Sequence, residues 1–199
     1  MTTLAVPTMA EALDNVTVLF VPGLRDHVED HWQTHAAREF PRAVTVPPLT
    51  TDRLSLAARV AALDAALSAI EGEVVIAAHS AGCLMVAAWA QNPTRAIRGA
   101  LLATPADVEH PLPEGYPTLD ELTDNGWNPV PRGRLPFPTI VAASRNDPLA
   151  AWERVAVFAA RWGALFHDAG DVGHLNPAAG FGPWPAGLDL IARVAAVRA

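Results

Sequence analysis

The sequence contains no lysine: all fourteen of its cationic side chains are arginine. Schiff-base chemistry on a side-chain amine is thereby excluded. The single cysteine, Cys83, excludes an internal disulfide and a cysteine-based zinc site. No apolar run approaches the ~20 residues of a membrane-spanning helix. The opening residues, MTTLAVPTMAEALDN, lack the basic start of a signal peptide. A cytoplasmic protein with no membrane partner is expected. Basic clusters are missing too, and the net charge is −7, which argues against nucleic acid as a partner. No glycine-rich phosphate loop follows the first strand-like run, which argues against a nucleotide-binding, flavodoxin-like domain.

What remains is an ordinary globular composition. Of 199 residues, 51% are apolar and 18% charged, enough apolar side chains for one sizeable core and too few charges for a disordered chain. Residues 1–15 carry little pattern and read as an N-terminal extension, leaving 16–199 as a single domain. Within it, short apolar runs alternate with helical ones. Strands are expected at Val16–Val21, Ala43–Val46, Val74–Ala77, Ile97–Ala103, Phe137–Ala143 and Ala164–His167. Between them, Leu56, Val60, Leu63, Leu67 and Ile70 recur at helical spacing. Other helices are expected from Asp30 to Phe40, from Ala81 to about Gln91, from Pro148 to Trp162 ahead of Gly163, and over Pro185–Arg198. This alternation implies an α/β protein with a mostly parallel sheet and helices on both faces. Ligands in such sheets lie beyond the carboxyl ends of the strands. The one long irregular stretch, 104–136, is rich in Pro, Gly and Asp and reads as a functional loop or small lid.

The chain's organising feature is Val74–Met85, VVIAAHSAGCLM. A strand breaks at Ala78-His79-Ser80-Ala81-Gly82 and continues as a helix, the layout of a nucleophile elbow with Ala78 in place of the usual first glycine. A serine hydroxyl needs a base to take its proton, and the base needs an acid to fix its tautomer. After Ser80, in the chain order that sheet hydrolases use, come Asp147 (in Ser144-Arg145-Asn146-Asp147-Pro148) and His174 (in Gly173-His174-Leu175-Asn176). Asp168 and Asp171, also beyond a strand, are not excluded as the acid by spacing alone. Asp147 before Pro148 also reads as a helix N-cap with proline at N1, a role compatible with the catalytic one. Backbone N–H groups near Ala81 and, after the Pro22-Gly23 turn, Leu24 are the candidate oxyanion donors. His79 is expected to be structural or to line the pocket, and Trp127 to line the pocket from the long segment. His27, His31 and His35 stand four apart, but His27 precedes the helix and no carboxylate motif accompanies them. Neither a metal nor another cofactor is expected. Cys83 reads as a small apolar filler.

Together these residues resemble the small serine hydrolases of the retinoblastoma-binding protein nine type, a compact branch of the α/β-hydrolase fold. The resemblance runs from about Val16 to the C-terminus. It rests on Val21-Pro22-Gly23, His31-Trp32, Ala78–Gly82, Ser144-x-x-Asp147-Pro148, and Gly173-His174-Leu175-Asn176 followed by Gly182-Pro183-Trp184-Pro185. It implies Ser80 as nucleophile, Asp147 as acid and His174 as base. The chain departs from the family pattern at Ala78 and at Leu24-Arg25-Asp26, which replaces the small or polar residues found after the first Pro-Gly. The expected function is acyl transfer to Ser80 from a small uncharged ester, aryl or short acyl. The same chemistry would serve an amide, and 104–136 is too small a lid for a bulky lipid. The second reading is an interaction or binding protein that keeps the fold with little turnover, because the family's name comes from a protein partner.

Overall fold

The computed structural model describes Leu13 and residues 15–197, so the expected extension over 1–15 lies almost wholly outside the described residues. Among the described residues, six strands form one parallel sheet: β1 (Val16–Val21), β2 (Ala43–Thr45), β3 (Glu73–His79), β4 (Gly99–Ala103), β5 (Thr139–Ala143) and β6 (Leu165–Asp168), in the order β2-β1-β3-β4-β5-β6. The central strands β1, β3, β4 and β5 are apolar on both faces because both faces are covered. The edges β2 and β6 are short and leave Val44 and Leu165 exposed.

Alternate residues of each strand feed two cores. Leu19 and Val21 of β1, Ile76 and Ala78 of β3 and Leu102 of β4 pack under α2 (Leu56–Ser68), α3 (Ala81–Trp89) and α5 (Trp152–Trp162). Val18, Phe20, Val75, Ala77 and Leu101 point the other way, toward α1 (Trp32–Glu39) and α6 (Pro185–Ala196). Eight of the nine residues of α3 are buried, which is why its sequence is apolar all round. Of the expected stripe, Leu63 and Leu67 of α2 are fully buried, Leu56 and Val60 are partly covered, and Ile70, also partly covered, lies just past the end of the helix. The apolar pattern did not mark Arg59, which is buried on the same helix.

Two expectations need correction. The helix expected straight after Pro148 begins four residues later, at Trp152 with Ala151 as its N-cap, so Asp147 caps no helix. Segment 104–136 is also more ordered than its composition suggested. It contains α4 (Leu119–Asp124), opened by a reciprocal capping box between Thr118 and Glu121. The segment is pinned to the body by Trp127 Nε1–H, which donates to the Leu54 carbonyl (2.6 Å), and by the Trp162 indole donating to the Pro131 carbonyl (2.8 Å). Glu109 adds an ion pair with Arg132 (2.6 Å) and another with Arg154.

The strand order reverses between β1 and β3, since β2 lies to one side of β1 and every later strand to the other. That reversal opens a crevice beyond the carboxyl ends of β1 and β3. The residues following both strands meet there.

Candidate active site

Ser80 stands between β3 and α3 with φ 57° and ψ −128°, a backbone conformation that a non-glycine residue rarely adopts. It is held there from both sides. Its N–H extends the sheet ladder to the Ala103 carbonyl (3.0 Å), and its own carbonyl accepts from Cys83 N–H (3.0 Å) as the helix starts. Two glycines make room. A Cβ on Gly82 would come within 2.4 Å of the Val21 carbonyl oxygen, and one on Gly23 within 3.0 Å of Ser80 Cβ. Gly23 therefore serves close approach to Ser80, not a left-handed turn. Ala78, the departure from the usual elbow, is fully buried in the sheet and keeps its methyl group in the core.

His174 lies on the loop after β6. Its Nε2 is 2.9 Å from Ser80 Oγ, and its Nδ1 is 2.9 and 3.0 Å from the two oxygens of Asp147. The Asp147 side chain is 1% exposed, and one oxygen also accepts Leu149 N–H (2.8 Å). Proximity to the carboxylate places the ring proton on Nδ1, leaving the Nε2 lone pair for the serine hydroxyl. Of the alternative acids, Asp168 is taken by the Arg145 guanidinium at the surface (2.5 Å), and Asp171 is exposed. The β5 and β6 loops are joined by Asn146, whose Oδ1 accepts from Gly173 N–H (2.7 Å) and Ser144 Oγ (2.9 Å). Ser144 and Asn146 belong to the Ser144-x-x-Asp147-Pro148 motif, but no local pattern marks them as the residues that brace the His174 loop.

A second histidine backs the first. His79 Nε2–H donates to the His174 carbonyl (2.8 Å), and the two rings stand 4.8 Å apart. Burial, reinforced by the neighbouring His174 and His31, holds the His79 pKa well below the usual value. Neutral His79 thus adds no positive charge beside a ring that would itself become cationic. His31 packs edge-on against His79 at 4.5 Å and caps α1 by accepting Gln33 N–H on Nδ1 (3.2 Å). Its pKa is lowered to about 4, chiefly by burial and then by His174 and His27. Gln33, unmarked in the sequence, donates to the carbonyls of Val21 (3.1 Å) and Ala77 (2.9 Å), tying together the ends of β1 and β3.

The cleft over Ser80 has a volume of about 170 Å³. His79, Leu24 and Ala81 line it, with Val108, Leu112 and Tyr116 contributed by the 104–136 segment. Trp127 does not line it. Trp127 is 1% exposed and packs into the core beneath the segment, so its expected pocket role is corrected to that of an anchor. The three spaced histidines diverge: His27 reaches toward Thr34 (3.5 Å), His31 caps α1, and His35 pairs with Asp30 at the surface (2.7 Å). Among the described residues, no cluster of three or more metal-ligating side chains is formed. Cys83 is buried, donates its thiol to the Ala103 carbonyl (3.3 Å) and has its pKa pushed up by burial, which makes it unreactive.

Comparison with known proteins bears on this arrangement. Residues 18–193 match the family described as serine hydrolase. A YdeN-like hydrolase from Pectobacterium atrosepticum has a similar structure, with 30% identity, coverage of 94% of each chain and a TM-score of 0.78. The ydeN gene product of B. subtilis is 17% identical over 89% of this chain and 97% of its own, with a TM-score of 0.70. Est1E from Butyrivibrio proteoclasticus, in a structure with ferulic acid bound, is 12% identical over 90% of this chain and 86% of its own, with a TM-score of 0.64. No curated protein matches the chain in sequence.

Proposed function

The chain belongs to the serine hydrolase family, and from that premise we propose that it hydrolyses small carboxylic esters through an acyl-enzyme on Ser80. The observation that carries this reading is the 2.9 Å approach of His174 Nε2 to Ser80 Oγ, with Nδ1 on a carboxylate buried from water.

His174 Nε2 takes the hydroxyl proton as Oγ attacks the carbonyl carbon, and the carbonyl's π electrons move onto its oxygen. Asp147 remains ionised, keeps the ring's tautomer and stabilises the imidazolium. The backbone N–H groups of Ala81 and Leu24 donate to the oxyanion. One such donor is worth roughly 3–4 kcal/mol of transition-state stabilisation. Collapse of the tetrahedral intermediate breaks the bond to the leaving alkoxide, which receives the proton from His174. Water then gives its proton to His174, attacks the acyl carbon and releases the acid, and Ser80 recovers its hydrogen.

The cleft supports a small acyl or aryl group. An apolar cavity of ~150 Å³ accommodates benzene, and this one is of similar size with mostly apolar walls. The ferulic acid in Est1E is an aryl acid held by a protein of the same fold, an analogy of fold alone. The same chemistry would serve an amide, because His174 can hand its proton to either leaving group.

The test is covalent labelling with a fluorophosphonate, located by peptide mass spectrometry, followed by turnover of p-nitrophenyl esters. Label on Ser80 is expected, absent in Ser80→Ala and sharply reduced in His174→Ala. In Asp147→Asn, kcat should fall by roughly 10⁴-fold through loss of the correct tautomer. An unlabelled but folded wild-type protein would refute the proposal and favour a binding role.

A further inference from the structure

The departure at Leu24-Arg25-Asp26 has a partner in the buried arginine of α2. The Arg59 side chain is 5% exposed and reaches across to the turn after β1. Its Nη1 lies 3.0 Å from Asp26 Oδ1 and 3.5 Å from the Gly23 carbonyl oxygen, and its Nη2 donates to the Leu24 carbonyl (3.2 Å). Its Nε donates to the Arg53 carbonyl (2.6 Å), which fixes the guanidinium plane from behind. Asp26 takes φ 57°, a conformation aspartate tolerates, and returns its N–H to the Gly23 carbonyl (3.1 Å). Arg53 closes the cluster from the surface on the other Asp26 oxygen (2.9 Å).

The consequence follows from peptide geometry. A trans peptide is planar, with its C=O and N–H pointing in opposite directions. The carbonyl of Gly23 and the N–H of Leu24 belong to one such plane, and Arg59 and Asp26 N–H hold the carbonyl end. The Leu24 N–H is thereby aimed away from Arg59. Leu24 lines the cleft, and Gly23 packs against Ser80. The Leu24 carbonyl, also on Arg59, fixes the next plane and with it Arg25 N–H. Without the guanidinium, the turn loses a donor to two carbonyls and one carboxylate, and Asp26 N–H alone still holds the 23–24 peptide.

We propose that Arg59 is a positioning residue for the oxyanion donor of Leu24, coupling helix α2 to the active site through the Gly23–Leu24 peptide plane. This rests on the serine hydrolase reading above. Lysine cannot replace the fork, because a single ammonium on a flexible stem cannot span both carbonyls and the carboxylate in a fixed plane.

The experiment compares wild type, Arg59→Gln and Arg59→Lys, using p-nitrophenyl acetate well below each unfolding midpoint. Rates are expressed per site titrated by fluorophosphonate. The kcat of Arg59→Gln should fall roughly 10²-fold, as for a lost oxyanion donor, and that of Arg59→Lys by less. KM should stay within about threefold, since the donor acts in the transition state. In ¹⁵N-labelled protein the residual dipolar coupling of the Leu24 N–H, which reports the direction of that bond, should change in both variants. A purely structural role would lower the melting temperature and the number of titrated sites while leaving kcat per site and the Leu24 N–H coupling unchanged. That result overturns the proposal. Should Arg59→Gln not fold, Arg59→Lys decides alone: wild-type kcat per site with an unchanged Leu24 N–H coupling refutes it. Should wild type show no Ser80-dependent turnover, the hydrolase reading fails. The Leu24 N–H coupling then judges the positioning claim independently, a change supporting it and no change overturning it.

Discussion

Replacing Gly82 by alanine separates two views of the elbow. Gly82 lies in the first turn of α3. Judged by helix propensity alone, alanine would stabilise that turn by up to about 1 kcal/mol. Judged by space, it cannot be accommodated as the chain stands. The added Cβ would lie 2.4 Å from the Val21 carbonyl oxygen and 2.6 Å from that of Pro22. Carbon and oxygen in close contact sit about 3.3–3.6 Å apart, so helix and turn must separate by roughly 1 Å. Both clashing atoms are backbone, and no rotamer change relieves them. The sheet holds Val21 in register with Ala78, and the turn leads directly into Gly23 and Leu24. The retreat therefore carries the Gly23–Leu24 side of the cleft away from Ser80. Overpacking of this kind costs about 1–3 kcal/mol, which outweighs the propensity gain. A misplacement of ~1 Å at the reacting centre costs on the order of 10²-fold in rate. Gly82→Ala should thus unfold at lower urea concentration than wild type and lose about two orders of magnitude in kcat/KM on p-nitrophenyl acetate. A variant as stable as wild type with undiminished turnover would refute the close approach of α3 to the Val21–Gly23 turn.

Two further outcomes are expected. Trp127→Phe keeps most of the buried packing but strands the Leu54 carbonyl, which should cost about 1–2 kcal/mol in urea denaturation. KM for aryl and alkyl esters should be unchanged, and a selective KM change for aryl esters would return Trp127 to the pocket. The His31 pKa, about 4 in the folded chain, lies below the 6.5 expected when unfolded, so the unfolded chain binds the extra proton first as pH falls. Its contribution is intact above pH 6.5, declines from there to about pH 4, and amounts to about 3 kcal/mol. His31→Asn keeps a capping side chain and should flatten this part of the stability–pH profile; a variant profile parallel to wild type would show that His31 is not the titrating group.

The α/β layout was readable because its signals are local. VTVLFV and VVIAAH are almost wholly apolar on both faces, as the strands of a parallel sheet covered on both sides are. Ser80, Asp147 and His174 could be nominated together for a related reason: each follows a strand, and a parallel sheet brings those ends to one side. The missed features depend on contacts between distant segments. Trp127 in a Pro- and Gly-rich stretch looks like a pocket wall until the Leu54 carbonyl is seen to take its indole proton. Asp147-Pro148 has the composition of a helix start, but Asp147 is committed to His174 and to Leu149 N–H, and the helix is delayed to Trp152. Arg59 is the most instructive case. Read along its helix, a charged residue beside Leu63 and Leu67 belongs on the solvent face, because burying an unpaired guanidinium is prohibitive. What reverses the expectation is Asp26, together with the carbonyls of Gly23, Leu24 and Arg53, which supply the compensation from segments the helical period does not include. The same contacts explain why Leu24-Arg25-Asp26 can stand where small residues are usual. In this chain an acidic residue at 26 and a cation at 59 form one unit, and neither position is intelligible without the other.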